Sequence, residues 1–178
     1  MNRLTPLSLC IVLQLAVSGA FGEVRFFDMG TAGSKVYTSA TRVTAADAYS
    51  RSKGYGWKSS EGLTEQARAY EEMGDRRGSP APPLMWTNAV TEDCIIGDTE
   101  NAFVVDVPDG DYRVYLLCGT SDSYRYFYWD FAATARDAAS EAAADDDVTG
   151  RVQMEGGLQH RPVRLDVQVT GGRLQIDL

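Results

Sequence analysis

Alternating apolar and polar positions dominate the second half of the chain and predict β-strands. In Asp111–Cys118, for example, Tyr112, Val114 and Leu116 fall on one face of an extended segment. Other runs rich in β-branched and aromatic residues predict further strands at Val24–Phe27, Asn101–Val107, Tyr124–Thr134, Arg151–Glu155, Val163–Thr170 and Arg173–Leu178. Many short strands separated by turns are typical of an all-β, antiparallel β-sandwich.

Two turn signals join neighbouring predicted strands. Pro108–Gly110 separates Asn101–Val107 from Asp111–Cys118, and this turn tripeptide predicts a hairpin between the two strands. Gly171–Gly172 predicts a second hairpin, of the two-residue class, near the carboxyl end.

Helical patterns are sparse. In Leu63–Met73 the apolar residues Leu63, Ala67, Tyr70 and Met73 fit one helix face, which predicts a helix over this segment. The alanine-rich stretch 132–147 is interpreted as an insertion between strands, with a surface helix as the alternative. The fold class expected is therefore all-β with one or two short helices.

Composition narrows the range of functions. The chain has 178 residues, of which 44% are hydrophobic, and this suits one domain with a real core. Its net charge of −8 and the lack of any Lys/Arg cluster argue against nucleic-acid binding. Since His160 is the single histidine, most histidine-dependent chemistry is excluded, and we expect a non-catalytic protein.

The amino terminus has the features of a secretory signal peptide. Met1–Arg3 is basic, Leu4–Val17 is largely apolar, and small residues follow. We expect residues 1–22 to be removed and residues 23–178 to form the domain, which would then be secreted, either extracellular or periplasmic. A buried amino-terminal helix and cleavage after Ala20 are the alternatives, and the apolar stretch is too short for a spanning helix.

After removal of the leader, Cys94 and Cys118 remain. An exported chain with a cysteine pair permits a disulfide between them. The alternative is a pair of buried thiols that behave as small apolar side chains.

Several motifs in order along the chain resemble a known family. Phe27–Gly30, Tyr49–Ser50, Gly54–Trp57, Phe103–Val114 and Val169–Leu174 are similar to the signature segments of galactose-binding-like domains. Such domains precede esterase, lyase or glycosidase domains in secreted polysaccharide-degrading enzymes. The resemblance implies a jelly-roll sandwich of the kind shared by malectin and many carbohydrate-binding modules. The alanine-rich insertion and the proline-rich loop at residues 78–83 depart from the pattern.

Three clusters combine aromatic rings with planar polar groups, the combination that sugar binding requires. They lie around Trp57, Trp86 and Tyr124. For Trp57 and Trp129 core packing is the favoured alternative, because large aromatics usually fill a sandwich interior. The candidate carbohydrate-binding residues are Tyr55, Trp57, Trp86, Asn88, Asp122, Tyr124, Arg125 and Tyr126.

Acidic groupings raise the possibility of bound Ca²⁺. Glu92–Asp93, Asp98–Glu100 and Asp145–Asp147 supply carboxylates, but none has the spacing of a known calcium loop. A solvated charge cluster is the favoured interpretation.

The function expected is that of a secreted, non-catalytic carbohydrate-binding module, accessory to polysaccharide degradation. The alternative is the amino-terminal portion of a polysaccharide esterase, lyase or glycosidase whose catalytic domain lies downstream. A structural module that only packs against a neighbouring domain is a third possibility. Ile95–Thr99 is only faintly similar to the Gly-Asp-Ser block of SGNH esterases, because Thr99 stands where the serine nucleophile belongs.

Overall fold

The computed structural model describes residues 8–16, 24–67, 93–97, 100–120, 128–139, 149–155 and 159–178. These ranges form strands and turns and contain no helix, so no helix in them could cross a membrane. The all-β prediction is confirmed for this part of the chain. The strands are β1 (Ser8–Ala16), β2 (Val24–Met29), β3 (Thr41–Val43), β4 (Tyr55–Trp57), β5 (Leu63–Ala67), β6 (Asp93–Gly97), β7 (Ala102–Asp106), β8 (Gly110–Thr120), β9 (Tyr128–Asp137), β10 (Thr149–Glu155), β11 (Gln159–Val169) and β12 (Arg173–Asp177).

The described strands form two five-stranded sheets and one two-stranded sheet. The first large sheet has the order β11-β8-β1-β2-β3 and the second has the order β10-β9-β12-β7-β4. Strands β5 and β6 pair separately. Neighbouring strands are antiparallel except for β2 and β3, which are parallel.

One hydrophobic core draws on both large sheets. Val114 and Leu116 of β8 come from the first sheet, and Phe103 and Val105 of β7 come from the second; all four are fully buried. Within each strand these residues alternate with residues on the opposite face, as the period-two pattern requires. In β8 the alternation therefore predicts correctly that Tyr112, Val114 and Leu116 share the face that enters the core.

Both predicted hairpins are wrong. β7 and β8, which flank Pro108–Gly110, lie in different sheets, and so do β11 and β12, which flank Gly171–Gly172. Each turn therefore carries the chain from one sheet to the other. β8 pairs instead with β11, and β7 pairs with β12, because these partners place their apolar faces on the shared core.

The two inter-sheet turns lie side by side. The amide of Gly172 donates to Asp109 Oδ1 at 2.9 Å, and the amide of Val107 donates to the Gly172 carbonyl at 3.0 Å. Gly172 has φ +71°, a left-handed conformation that glycine adopts at little cost. The glycine is required by this corner rather than by a hairpin.

The predicted helix at Leu63–Met73 is also wrong over its first half. Leu63–Ala67 is β5, and it pairs with β6 in a register that joins Leu63 to Gly97 and Ala67 to Asp93. A short apolar pattern fits either structure, and here strand pairing prevails over local propensity. Residues 68–73 lie outside the described residues. In the alanine-rich stretch, residues 132–137 belong to β9, and residues 140–147 lie outside the described residues.

Part of the predicted signal peptide is a strand in the structure of residues 1–178. β1 lies between β2 and β8 and pairs antiparallel with both. An apolar run of this length is as compatible with a sheet strand as with the apolar core of a leader. Removal of residues 1–22 stays a prediction, and its consequence for β2 and β8 is considered in the Discussion.

Candidate functional site

The segment Thr31–Ala40, which we call the 31–40 loop, connects β2 to β3 and contacts the face of β2 opposite the core. In β2, Phe27 and Met29 are buried in the core, whereas Phe26 and Asp28 alternate with them. The loop contacts these two alternate residues through Tyr37: its ring meets Phe26, and its backbone meets Asp28. Phe26 and Asp28, which point away from the core, therefore support the loop.

Two buried carboxylates hold the backbone of the loop. Asp28 Oδ2 accepts a hydrogen bond from the Tyr37 amide at 2.8 Å. Asp93 Oδ2, from β6, accepts one from the Thr31 amide at 2.8 Å and another from the Ser34 hydroxyl. Each carboxylate is only 3% exposed, so these bonds form away from competing water.

Gly30 allows the close approach of Asp93 to the start of the loop. A β-carbon at Gly30 would lie 1.8 Å from Asp93 Oδ2, which no side chain could tolerate without a shift of the carboxylate. The glycine is therefore needed for space at this position.

Arg42 of β3 holds the first half of the loop. Its Nη1 donates to the Ala32 carbonyl, and its Nη2 donates to the Ser34 carbonyl. The planar guanidinium can reach two carbonyls at once because its donors are arranged as a fixed fork. Arg42 stands opposite Asp28 in the β2–β3 register, so neighbouring positions on two strands hold the two halves of the loop.

Tyr37 is the aromatic residue that the loop presents to solvent. It is 47% exposed, and among the described residues only Val24 is another large apolar residue with comparable exposure. Its ring meets Phe26 edge-on, with centroids 5.0 Å apart. Two residues later, Ser39 has φ +70°, a conformation that costs an L residue roughly 1 kcal/mol. The loop is thus a fixed support for an exposed ring.

The sequence analysis missed Tyr37. The residue stands alone in a run of small and polar residues, TAGSKVYTSA, so no aromatic cluster marks it. The signal that could have found it is this isolation, because a single aromatic in a polar loop has few partners with which to be buried.

Residues of several resemblance motifs meet in a second group, the motif cluster, centred on Asp106. The Tyr49 hydroxyl donates to Asp106 Oδ1 at 2.9 Å, and Arg173 Nε donates to the same oxygen at 2.9 Å. The Asp106 amide donates to the Gly54 carbonyl at 2.7 Å, and Arg25 donates to the Asp106 carbonyl at 3.0 Å. The cluster ties β2, β7 and β12 to the turn before β4.

The motif cluster is a structural joint rather than an open site. The Arg173 guanidinium lies 4.6 Å from the centroid of the Tyr49 ring and covers one of its faces. Burial, followed by the hydrogen bond to Asp106, raises the pKa of Tyr49, so the phenol stays protonated and keeps donating. The motif residues Tyr49, Gly54, Asp106 and Arg173 therefore have a structural role, because they connect strands and turns to one another.

Tyr55 and Trp57, two predicted sugar-binding residues, lie on β4. The Tyr55 ring is half-buried against Phe27, with centroids 5.2 Å apart, and Lys53 Nζ lies 5.3 Å from its centroid. Trp57 is 2% exposed, and its indole Nε1 donates to the Thr44 carbonyl at 2.9 Å. Trp57 therefore belongs to the core, and we remove it from the candidate surface; Tyr55 keeps only a partly accessible ring.

The other predicted sugar-binding residues are not placed by the structure. Trp86, Asn88, Asp122, Tyr124, Arg125 and Tyr126 lie outside the described residues. Their roles stay predictions, and Tyr37 is an additional candidate beside them.

The predicted calcium and disulfide positions are only partly described. Among the described residues no group of three or more His, Cys, Asp or Glu side chains is placed to hold a metal ion. Glu92, Asp98 and Asp145–Asp147 lie outside that part, and Asp93 serves the 31–40 loop. Cys94 is buried in β6 and Cys118 belongs to β8, and a bridge between them stays a prediction.

Comparison with known proteins gives one informative likeness. No protein-family model matches the chain, and no curated protein matches it. The crystal structure of protein YxiM from Bacillus subtilis is similar, with 22% sequence identity and a TM-score of 0.51. The match covers 84% of this chain and 33% of YxiM, so the chain spans about a third of that protein's length. This likeness concerns the fold alone.

Proposed function

We propose that the protein is a secreted, non-catalytic carbohydrate-binding module with a jelly-roll fold of galactose-binding-like type. Two five-stranded sheets that share one core support the fold assignment. The meeting of Tyr49, Gly54, Asp106 and Arg173 supports the family assignment, because motifs far apart in sequence contact one another. The ligand would be a polysaccharide or glycan.

The observation that carries the proposal is Tyr37 on its anchored loop. The C–H face of a pyranose packs on an aromatic face, and its hydroxyls need hydrogen-bonding groups nearby. The exposed Thr38 and Ser39 follow Tyr37 directly and offer such groups. Since the loop is already fixed by Asp28, Asp93 and Arg42, less ordering is required when a sugar binds.

A second proposal concerns the whole gene product. In it the chain is the amino-terminal portion of a longer polysaccharide-active enzyme, as the resemblance of its motifs to galactose-binding-like domains implies. In such a protein the module would hold the polysaccharide while a downstream esterase, lyase or glycosidase domain acts on it.

The test begins with a glycan array that covers plant and algal polysaccharides, followed by calorimetry with the best oligosaccharide. Tyr37→Ala should weaken binding roughly tenfold, since it removes an aromatic packing surface. Tyr37→Phe keeps the ring and should bind like the wild type.

A substitution at Arg164, which is half-exposed on β11 and pairs with Asp166, controls for any change in surface composition. Arg164→Ala should leave the affinity unchanged. Equal affinity in the wild type and Tyr37→Ala would remove the 31–40 loop from the binding site, and a lack of binding across the array would remove the proposed function.

A further inference from the structure

We infer that Arg42 is a positioning residue for the glycan site: its guanidinium holds the 31–40 loop in the shape that presents Tyr37. The inference rests on the proposed function and deepens it. Arg42 would contribute to the affinity for the glycan indirectly, because its side chain contacts carbonyls of the loop.

Among the three anchors, Arg42 is the one that is only partly buried. Both of its hydrogen bonds end on loop carbonyls, those of Ala32 and Ser34. Asp28 and Asp93, in contrast, are buried to about the same degree as core residues. Their removal would disturb the fold as well as the loop, so they cannot separate the two roles.

We expect the loss of Arg42 to change the stability of the fold little. Its two hydrogen bonds to carbonyls are favourable, but its Nε is buried and has no hydrogen-bond partner in the described part of the chain. An unsatisfied buried donor carries a penalty that offsets such bonds. An apolar side chain of similar length removes both the bonds and the penalty, so it should change the melting temperature by less than about 3 °C.

Replacement of Arg42 should weaken glycan binding more than it lowers the stability of the fold. Without Arg42 the first half of the loop, residues 31–34, loses the bonds to its carbonyls, and the loop has to be ordered when the sugar binds. This ordering opposes association, and we expect about tenfold weaker binding from it. Lysine at the same position supplies one ammonium group and cannot reproduce the fork, so Arg42→Lys should bind like Arg42→Met.

The experiment compares four forms of the chain 1–178: wild type, Arg42→Met, Arg42→Lys and the control Arg164→Met. Calorimetry measures affinity for the oligosaccharide selected on the array, and thermal unfolding measures stability. Hydrogen exchange then measures the protection of peptides that cover residues 31–40. The Tyr37 and Thr31 amides, which donate to Asp28 and Asp93, report directly on the loop.

The inference expects weaker binding and faster exchange in the loop for both Arg42 variants, a nearly unchanged melting temperature, and wild-type behaviour of Arg164→Met. Wild-type affinity in Arg42→Met, alongside lost affinity in Tyr37→Ala, would overturn the inference and leave the proposed function standing. If no glycan binds the wild type, the proposed function fails, and exchange alone decides: faster exchange in Arg42→Met supports the anchoring role, and unchanged exchange overturns it.

Discussion

Two aromatic side chains, Tyr37 and Trp57, show at the residue scale how burial separates a binding residue from a structural one. In the sequence both lie among small and polar residues, and only their contacts in the structure distinguish them. Trp57 meets Phe103 with centroids 5.2 Å apart and is almost fully enclosed, whereas Tyr37 leaves nearly half of its surface in solvent. Trp57, which follows Gly56, therefore belongs to a tightly packed strand and not to a sugar-binding surface.

The two residues should differ sharply in their effect on folding. Trp57→Ala should lower the free energy of unfolding by about 3–5 kcal/mol, because it leaves a large cavity and an unpaired Thr44 carbonyl. Tyr37→Ala should lower it by less than about 1.5 kcal/mol, the value of one aromatic contact. Urea denaturation measures both. Similar losses in the two variants would place Tyr37 in the core.

The buried carboxylate of Asp137 allows a prediction of how the stability of the fold depends on pH. Its Oδ2 accepts from the Thr170 amide at 2.8 Å and hydroxyl at 2.9 Å, and its Oδ1 accepts from the Ala139 amide at 3.0 Å. Burial acts to raise the pKa of Asp137, but these hydrogen bonds to the carboxylate outweigh it and hold the pKa below the ordinary value of 3.8.

Since the folded-state pKa is lowered, the stabilisation by Asp137 is fully present above about pH 4 and is lost as the pH falls through the folded-state pKa. Asp137→Asn should therefore cost about 1–3 kcal/mol at pH 7 and much less at pH 2–3. Urea unfolding at the two pH values measures this difference. The control Asp166→Asn, at an exposed carboxylate, should cost less than about 1 kcal/mol. A cost for Asp137→Asn that does not change with pH would contradict this role.

At the scale of elements, the sequence predicts where most of the described strands lie but not how they pair. Alternation in Asp111–Cys118 identifies the buried face of β8, because the period of two is a local property. The choice of partner is not local: a turn such as Pro108–Gly110 can close a hairpin or carry the chain between sheets. β5 fails for a related reason, since its pairing with β6 decides between strand and helix.

The sequence predicts the type of binding site but not the residues that form it. An exposed aromatic beside polar groups was expected, but the expected residues were those in aromatic clusters, and such clusters also fill cores. The position of Tyr37 depends on the 31–40 loop, which Asp28, Asp93 and Arg42 hold from three different strands. No local pattern contains that information.

The turn between Asp47 and β4 gives an element-scale prediction. Gly56 has φ +141°, and a β-carbon there would lie 2.5 Å from the Asp47 carbonyl oxygen and 2.6 Å from the Tyr49 nitrogen. Because both are backbone atoms, Gly56→Ala should lower the free energy of unfolding by more than about 2 kcal/mol. Gly33→Ala, where nothing lies within 4 Å, should change it by less than about 0.5 kcal/mol. Equal effects in a denaturation experiment would contradict the packing of this turn.

Strand β1 gives a second prediction at this scale. We propose that export removes residues 1–22, and this would take away the partner that β2 and β8 share. Intact-mass measurement of the exported protein should then give an amino terminus at Glu23. In a chain cut to residues 23–178, the amides of β2 and β8 that face β1 should exchange faster than in the full chain. Unchanged protection would mean that the two strands find another partner.

At the scale of the whole molecule, the two large sheets in the described part of the chain share one core, and the 31–40 loop packs against one of them. The sheets are connected by the bond from Arg25 to the Asp106 carbonyl and by the paired turns at Asp109 and Gly172. Binding residues on loops above a rigid body are a common arrangement in proteins.

The central claim is that a glycan binds at the 31–40 loop. The most direct measurement is a titration of the isotopically labelled protein with the array-selected oligosaccharide, followed by amide chemical shifts. The account predicts that the largest shift changes fall within Thr31–Arg42 and that Tyr37→Ala needs about tenfold more oligosaccharide to reach half of them. Shift changes concentrated elsewhere, or unaffected by Tyr37→Ala, would contradict it.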